Sequence, residues 1–175
     1  MKRALFPGRF QPFHKGHIAA INQLLSEYDE VIVAIGSAQD GYTCRNPFTA
    51  GERWEMIYRV IRENGLLGRV WMITIPDINM PLTWTAYVLS MSPRVDVVAS
   101  GNPQTLYLFE WLGKPTKRIT LLEPMRYHGT RIRELMARGS DEWRELVPPS
   151  VSEYIDEIKG VERVRRLCID EHTTY

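Results

Sequence analysis

Two histidines and a glycine stand at the start of a candidate helix near the beginning of the chain. His14, Gly16 and His17 lie in the segment GRFQPFHKGH (8–17), between the apolar run 4–6 and the amphipathic stretch 18–25. A helix start offers free N–H groups and the positive end of the helix dipole, which suit a phosphate. Histidines three positions apart share a face in a first turn, and Gly16 lets a phosphate approach the backbone. The pattern predicts a phosphate site; the alternative is that both histidines are ordinary surface residues.

The two commonest phosphate-binding signatures do not occur in the sequence. It contains neither a GxxxxGK(S/T) loop nor a GxGxxG loop. The chain is therefore neither an ordinary P-loop NTPase nor a standard dinucleotide-binding dehydrogenase. A phosphate site in this chain must be built another way, and the histidine pair is the candidate.

The composition is that of a globular protein without a strong charge bias. The 175 residues are 44% hydrophobic and 25% charged, and 22 basic residues nearly balance 21 acidic ones. This balance argues against nucleic acid or an anionic membrane as the main partner. No apolar run is long enough for a signal peptide or a membrane helix, so we expect a cytoplasmic protein. Cys44 and Cys168 lie far apart in no metal-binding pattern, so we expect neither a disulfide nor a zinc site.

Short β-rich runs alternate with helical patterns along the first two thirds of the chain. We predict strands over 3–6, 31–35, 70–75, 95–99 and 118–122. We predict helices over 16–27, 49–63, 83–91, 105–112, 130–138, 141–146, 151–159 and 161–167. The second helix carries the clearest start, because Thr49 and Glu52 form a capping-box pattern.

This alternation predicts an α/β fold: a Rossmann-like, doubly wound, parallel five-stranded sheet followed by C-terminal helices. We expect one nucleotide-binding domain over 1–175, with an α/β core over 1–123 and a helical part over 124–175. Ligands of such sheets bind at the carboxyl ends of the strands near the switch point. The loops after the predicted strands begin at 7, 36, 76, 100 and 123, and they hold most of the candidate site residues.

Two motifs in this order resemble the signatures of the nucleotidyltransferase superfamily. The first is (H/T)xGH, matched by His14-Lys15-Gly16-His17. The second is SxTxxR at a late helix start, matched in part by Gly129, Thr130 and Arg133 within the segment HGTRIR (128–133). His128-Gly129 replaces the usual pair of serines, which weakens any role for a serine hydroxyl there.

The closer resemblance is to archaeal-type nicotinamide-nucleotide (NMN) adenylyltransferases, and it covers nearly the whole chain. It rests on the segments IGSAQ (35–39), RNPFTAGER (45–53), SGNP (100–103), IDEI (155–158) and GVER (160–163). It implies that ATP and nicotinamide mononucleotide react to NAD and pyrophosphate, with Mg²⁺ bound to the ATP phosphates and no protein side chain as metal ligand. It also implies a homo-oligomer, which is often a hexamer in archaeal members.

The resemblance, together with the chemistry, assigns the catalytic roles. A 5′-phosphate acceptor is already anionic and needs no general base, so the enzyme must align two anions and stabilise the leaving pyrophosphate. His14 and His17 would bind the ATP phosphates, with His17 nearest the α-phosphate. Arg133 would hold the β- and γ-phosphates, Arg9 would flank the same site, and Arg45 would neutralise charge between the two substrates. The alternative for each arginine is a solvated or salt-bridged surface side chain.

The remaining candidates surround the substrates. Asp77, Asn79 and Trp84 follow the third strand, and the resemblance places the nicotinamide ring there, where a cationic pyridinium favours the face of Trp84. The alternatives are that Trp84 is helix core and that Asp77 caps a turn. The other expected substrate-binding residues are Gly8, Phe10, Gly16, Ser37, Ser100, Gly101, Asn102, Gly129 and Thr130. Of these, Gly101 and Asn102 would border the adenosine, unless they form a plain strand-to-helix turn.

Three other functions stay open on the sequence. The same chemistry could serve another acceptor, such as phosphopantetheine or flavin mononucleotide, and the residues after the third strand would decide. A nucleotide-binding regulator without catalysis is disfavoured because both histidines and Arg133 are present. A nucleic-acid-binding module is disfavoured by the near-neutral charge and the lack of an RNA-binding motif.

Overall fold

The computed structural model contains one five-stranded sheet, which is parallel throughout and has the strand order β3-β2-β1-β4-β5. It describes residues 1–120 and 122–170. The strands are β1 (Arg3–Gly8), β2 (Glu30–Ile35), β3 (Val70–Thr74), β4 (Val97–Ser100) and β5 (Thr116–Arg118). The helices are α1 (Lys15–Leu25), α2 (Ala50–Glu63), α3 (Pro81–Met91), α4 (Pro103–Trp111), α5 (Gly129–Arg138), α6 (Pro149–Glu157) and α7 (Gly160–Asp170), with a 3₁₀ helix over Asp141–Leu146. The predicted doubly wound α/β fold is confirmed.

Alternating strand side chains separate two apolar layers. On one face, Phe6, Val33 and Ile35 belong to a buried cluster that also contains residues of α1, α2 and the C-terminal helices. On the other face, Leu5 and Ile32 belong to a cluster that includes residues of α3 and α4. Because both faces are covered there, the central strands β1 and β2 are mainly apolar.

The switch point lies between β1 and β4. The chain first builds β1, β2 and β3 outward in one direction, and it then returns to the other side of β1 for β4 and β5. Gly8 at the end of β1 pairs with Ile35 at the end of β2, whereas β1 pairs with β4 only at Ala4 and Leu5. The segments that follow β1 and β4 therefore border a crevice at the carboxyl end of the sheet.

Helix starts depend on local chemistry that the sequence shows. At α2, the backbone N–H of Glu52 donates to Thr49 Oγ1 at 3.2 Å, and that of Thr49 donates to Glu52 Oε2 at 2.9 Å, so the predicted capping box is confirmed. Helices α3 and α4 begin two residues earlier than predicted, at Pro81 and Pro103. Proline suits a first helical position, because its fixed φ is helical and no N–H is needed there.

The last strand is shorter and earlier than predicted. It covers Thr116–Arg118 rather than 118–122, because β5 pairs only with the short strand β4, from Val98 to Ser100. After the ladder ends, the N–H of Ile119 still donates to the carbonyl of Ser100, and Ile119 is buried. Ile119 is therefore buried beyond the strand, whereas Leu122 is exposed, and residue 121 of the predicted strand lies outside the described residues.

Cys44 and Cys168 are joined by a disulfide, with their Cα atoms 4.8 Å apart. The prediction that these cysteines are unpaired is wrong. They lie 124 positions apart, and their contact arises only because α7 folds back against the loop between β2 and α2. Spacing along the sequence carries no information about that packing. None of the helices in the described ranges is long and apolar enough to cross a bilayer.

Candidate active site

The loop after β1 carries the first motif and is held by its own buried side chains. Gln11 binds the backbone of Phe48 in both directions: its Nε2 donates to the Phe48 carbonyl at 2.7 Å, and its Oε1 accepts from the Phe48 N–H at 3.0 Å. Phe10 adopts a positive φ of 53°, and its ring lies beside Gly8, where a Cβ would be 2.8 Å from Cζ of Phe10. A side chain at position 8 would therefore displace the Phe10 ring from its buried position.

His14 and His17 come together at the start of α1, as the motif predicts. Their rings are stacked, with centroids 3.5 Å apart and planes 20° from parallel. The N–H of His14 donates to His17 Nδ1 at 3.1 Å. Because Nδ1 of His17 is an acceptor, the proton of the neutral ring lies on Nε2. His17 can therefore donate one N–H to a ligand.

Both histidines are neutral in the free protein. Burial lowers the pKa of His14 to about 3, with a further contribution from His128. Burial also holds the pKa of His17 well below its ordinary value, with smaller contributions from His14 and His128. The aromatic rings of Phe10 and Phe13 lie against His17, with centroids 4.8 Å and 5.3 Å away. The pair thus supplies hydrogen-bond donors without charge.

Arg133 supplies charge from the opposite wall. It projects from the first turns of α5 and is only 8% exposed. Its Nη1 donates to the carbonyl of Gln11 at 2.8 Å, and its Nη2 lies 3.3 Å from Thr130 Oγ1. Burial lowers its pKa to about 10, with the charges of Arg9 and Arg45 acting in the same direction. The guanidinium stays protonated at neutral pH.

These groups surround a pocket of about 180 Å³. We call it the phosphate pocket, and its lining residues are Arg9, Phe10, Gln11, His14, His17, His128, Gly129, Thr130 and Arg133. Gly129 is needed here for close packing, because a Cβ at that position would lie 3.0 Å from the Gln11 carbonyl oxygen and 3.3 Å from Arg133 Nη1. Gly16 behaves similarly, since a Cβ there would meet Tyr127 Cβ at 3.0 Å and the His14 ring at 3.1 Å.

A larger cleft of about 570 Å³ adjoins the phosphate pocket and shares Arg9 with it. Its other lining residues are Pro7, Gly8, Gly36, Ser37, Asp40, Arg45, Asn46, Asp77, Asn79, Trp84, Ser100, Asn102 and Thr105. Burial lowers the pKa of Arg9, and the charge of Arg45 lowers it further, while Asp77 opposes both effects. Two like charges near each other in a cleft provide a favourable place for a multiply charged anion.

The segments after β2 and β3 meet at one side of this cleft. Ser37, with a positive φ of 48°, donates its hydroxyl to Asp77 Oδ2 at 2.6 Å and its N–H to Asp77 Oδ1 at 3.2 Å. Trp84 of α3 is half-buried and lies against Phe109 of α4. These two helices cover the face of the sheet that carries Leu5 and Ile32. Asp77, Asn79 and Trp84 lie together along this side of the cleft, as predicted, and Ser37 joins them; that they bind substrate stays a prediction.

The residues after β4 have a structural role as well as a place in the cleft. Asn102 Oδ1 accepts from the N–H of Gln104 at 2.9 Å and so caps α4, and the Asn102 N–H donates to Ser100 Oγ at 3.1 Å. Ser100 and Asn102 line the cleft, whereas Gly101 does not contribute to its lining. Asn102 therefore belongs to a strand-to-helix turn, as the alternative states, and it also lines the cleft.

Polar atoms that lack a protein partner concentrate around the two cavities. In residues 1–120 and 122–170, five buried side-chain N or O atoms have no hydrogen-bond partner. Four of the five belong to residues that line the phosphate pocket or the cleft: Arg9 Nη1, His14 Nδ1, Asn46 Oδ1 and Trp84 Nε1. Buried polar groups are normally paired, so these atoms mark the cavities as sites for a polar ligand.

Arg53 was not among the predicted site residues. This side chain is fully buried, and it donates to the carbonyls of Arg9 (2.8 Å), Gly36 (2.7 Å), Ser37 (2.9 Å) and Thr49 (3.2 Å). It thereby ties together the segments after β1 and β2 and the start of α2. Burial lowers its pKa to about 10. The signal was its spacing from Met56, Ile57, Val60 and Ile61, which makes Arg53 a charged residue on the apolar face of α2.

Asn46 and Asp40 were also missed. Asn46 Nδ2 donates to Asp40 Oδ2 at 3.1 Å, and both residues line the cleft beside Arg45. Asp40 lay in a stretch without a motif, and Asn46 was quoted only as part of the resemblance. Neither has a periodic pattern that could have identified it.

Comparisons with known proteins show the family of this chain. A family model described as cytidylyltransferase-like matches residues 5–135. The nicotinamide-nucleotide adenylyltransferase of Pyrobaculum neutrophilum is 49% identical over 94% of this chain and 93% of its own. That of Pyrococcus horikoshii is 48% identical over 96% of this chain and 90% of its own. The fold and site thus define a cytidylyltransferase-like protein, and within that class the chain belongs to the nicotinamide-nucleotide adenylyltransferase family.

A solved structure shares the fold at low sequence identity. The bifunctional NMN adenylyltransferase/ADP ribose pyrophosphatase from Francisella tularensis, complexed with AMP and a manganese ion, superposes with a TM-score of 0.75 at 19% identity. The match covers 94% of this chain and 52% of that protein. This chain therefore corresponds to about half of the bifunctional protein.

Proposed function

We propose that the protein transfers the adenylyl group of ATP to the 5′-phosphate of nicotinamide mononucleotide, which gives NAD and pyrophosphate. The observation that carries this proposal is the junction of the two cavities at Arg9. One cavity presents histidine and arginine N–H groups, and the other extends to an aromatic side chain and a carboxylate. A triphosphate in the first and a nucleotide in the second would place their phosphates side by side.

The reaction needs alignment and charge stabilisation rather than a base. An oxygen of the acceptor phosphate attacks the α-phosphorus of ATP, and the bond from that phosphorus to the bridging oxygen breaks. The electron pair leaves with the pyrophosphate, and because the acceptor itself attacks the phosphorus, no covalent enzyme intermediate forms. Groups that donate to the developing charge accelerate such a transfer. His17 would donate from Nε2 near the α-phosphate, and Arg133 would hold the leaving phosphates.

The neutral histidines would donate hydrogen bonds to the phosphates, and the charged arginines would supply the positive charge. A neutral imidazole donates a hydrogen bond without the desolvation cost of a buried cation. Arg9 and Arg45 carry the positive charge at the junction, where the two substrates each bring phosphate. Because Arg9 lines both cavities, it would be placed to contact both substrates.

A magnesium ion fits this site as a companion of ATP. Within the described ranges, no cluster of three or more His, Cys, Asp or Glu residues could hold a metal. The ionisable side chains that line the phosphate pocket are nitrogen donors, whereas Mg²⁺ prefers oxygen and often binds through substrate phosphates. When bound, the ion would neutralise charge on the phosphate oxygens, and the ligands would come from ATP and water.

The wall of Ser37, Asp77 and Trp84 would accept the nicotinamide nucleotide. The unpartnered Nε1 of Trp84 and the carboxylate of Asp77 are polar groups that can bind a ribose or a carboxamide. The indole face can contact a cationic pyridinium ring. Asp77 is already bonded to Ser37, so its carboxylate is held in one orientation before the substrate arrives.

Pyrophosphate release with different acceptors tests this proposal. ATP and magnesium would be offered with nicotinamide mononucleotide, phosphopantetheine or flavin mononucleotide. We expect release only with the nicotinamide nucleotide, with NAD forming at the same rate. Release with another acceptor would overturn the assignment of the acceptor wall. ATP binding without release with any acceptor would favour a nucleotide-binding regulator.

A further inference from the structure

Helix α7 holds the loop that brings Arg45 to the cleft. This β2–α2 loop (residues 36–49) runs from the end of β2 to the cap of α2 and carries Asp40, Arg45 and Asn46 on its inner side. On its outer side, Cys44 is bonded to Cys168 near the end of α7. The disulfide therefore lies one residue away from a candidate catalytic arginine.

Arg163 of the same helix holds three further points of this region. Its guanidinium lies over the ring of Tyr42 at 4.3 Å, and its Nη1 donates to the carbonyl of Pro47 at 3.2 Å. It also pairs with Glu52 at 2.7 and 2.8 Å, and Glu52 in turn caps α2 at Thr49. The disulfide and Arg163 thus attach the loop to α7 on both sides of Arg45.

Helix α7 is also attached to the helix that carries Arg133. Arg165 donates from Nε to the carbonyl of Met136 in α5 at 3.3 Å. Val164, on the inner side of α7, belongs to the same buried cluster as Ile132 and Met136 of α5. One helix therefore connects the supports of two arginines from opposite sides of the site.

The Arg45 side chain depends on its backbone for its position. It is exposed, and within the described ranges no hydrogen bond or ion pair to protein holds its guanidinium. Its charge nonetheless reaches the site, since it lowers the pKa of both Arg9 and Arg133. Because no protein group holds the Arg45 side chain, its position follows that of the loop backbone. A movement of the loop at Cys44 would therefore shift the charge of Arg45 relative to the junction of the two cavities.

We propose that the Cys44–Cys168 disulfide is a positioning element of the active site, which holds the β2–α2 loop so that Arg45 faces the bound phosphates. This inference rests on the proposed adenylyl transfer for its kinetic consequence, whereas its structural consequence can be measured without any substrate. The bond forms when two thiols lose two electrons and two protons to a disulfide oxidant. Its reduction by a dithiol restores one thiol on each cysteine and oxidises the dithiol to its own disulfide.

The first test compares the oxidised protein with the protein reduced by dithiothreitol, and with the double variant Cys44→Ser/Cys168→Ser. Hydrogen–deuterium exchange should speed up in residues 38–49 when the bond is absent. At a temperature where both forms are folded, kcat/KM should fall about tenfold, which is less than the roughly 100-fold that a 1 Å misplacement can cause. Unchanged exchange in residues 38–49 would overturn the proposal, whatever the activity.

An Arg45→Ala background separates positioning from general support. If the disulfide acts through Arg45, its reduction in that background should change kcat/KM by less than about twofold, since the two changes then affect one interaction. An undiminished tenfold loss would show that the bond does not act through Arg45. Arg59→Ala is the matched control, because Arg59 links α2 to Glu157 of α6 at 2.8 and 2.9 Å and makes no hydrogen bond to residues 36–49 in the described ranges. It should lower stability and leave kcat/KM unchanged.

Failure of the proposed function has a different signature. Suppose that the oxidised protein makes no NAD, but that reduction still speeds up hydrogen–deuterium exchange in residues 38–49. That result would contradict the proposed adenylyl transfer and would support the structural role of the disulfide. A protein that makes NAD equally fast in both redox states would support the adenylyl transfer and contradict the positioning role of the disulfide.

Discussion

The imidazole rings of His14 and His17 are stacked with their centroids 3.5 Å apart, at the start of α1. At that distance two protonated rings would repel each other strongly. In the free protein burial keeps both rings uncharged, and the positive charge of the site comes from Arg9, Arg45 and Arg133.

Acidification below pH 6.5 should destabilise the protein through these histidines. Burial lowers the pKa of His14 from 6.5 to about 3 and that of His17 well below 6.5. Between those values the unfolded chain binds more protons than the folded one, so the free energy of unfolding falls as the pH falls. Each histidine contributes a slope of up to about 1.4 kcal/mol per pH unit. Chemical denaturation at pH 7, 6 and 5 measures the slope above the range in which most carboxylates titrate.

The variant His14→Gln serves as the comparison for that slope. It removes one buried imidazole, so its free energy of unfolding should depend less on pH between 7 and 5 than that of the wild type. Parallel curves for the two proteins would contradict the depressed pKa of His14.

Replacing His17 by alanine should lower kcat by about 10²–10³, the usual cost of removing one donor to developing charge. Steady-state kinetics with ATP and nicotinamide mononucleotide measures the loss. Asn22→Ala is the matched control, because Asn22 is exposed on the same helix. Turnover that is unchanged in His17→Ala would refute the role of Nε2 as a donor.

Arg53→Lys should weaken the site although it keeps the positive charge. A lysine ammonium cannot reach all four carbonyls that the guanidinium binds, and each buried carbonyl left unpaired costs about 1–3 kcal/mol. We expect a loss of about 2–4 kcal/mol in the free energy of unfolding, together with a lower kcat/KM. Arg62→Lys, on the exposed side of the same helix, should change neither quantity. If Arg53→Lys equals the wild type in both, the carbonyl contacts do not organise the site.

Trp84→Ala should raise the KM for the acceptor about tenfold, which corresponds to the loss of one aromatic face from a cationic ring. The KM for ATP should change little, because Trp84 lines only the larger cleft. Trp111→Ala is the control, since Trp111 is exposed on α4. An unchanged KM for the acceptor would leave Trp84 as a packing residue against Phe109.

The parts of the fold that local chemistry determines could be predicted from the sequence. Continuous apolar runs indicated buried parallel strands, and Thr49 with Glu52 indicated the start of α2. The histidine motif was placed correctly because a strand, a loop and a helix start are all local patterns. The structure brings His14, His17, Arg9 and Arg133 around one pocket, although their roles in catalysis remain predictions.

The parts that depend on distant packing could not be predicted. Cys44 and Cys168 meet only through the position of α7, which no spacing rule encodes. Arg53 stood out on an apolar helix face, but the carbonyls it binds become known only with the folded loops. Gly16 is a similar case, because its small size serves packing against Tyr127 and His14 as well as any approach of phosphate.

The most direct test of the central claim follows the α-phosphorus of ATP. ATP labelled at that phosphorus would be incubated with magnesium, nicotinamide mononucleotide and the protein. Adenylyl transfer predicts that the label appears in NAD, that the pyrophosphate is unlabelled, and that the two products form in equal amounts. Label found only in ATP or AMP, with no labelled NAD, would contradict the account.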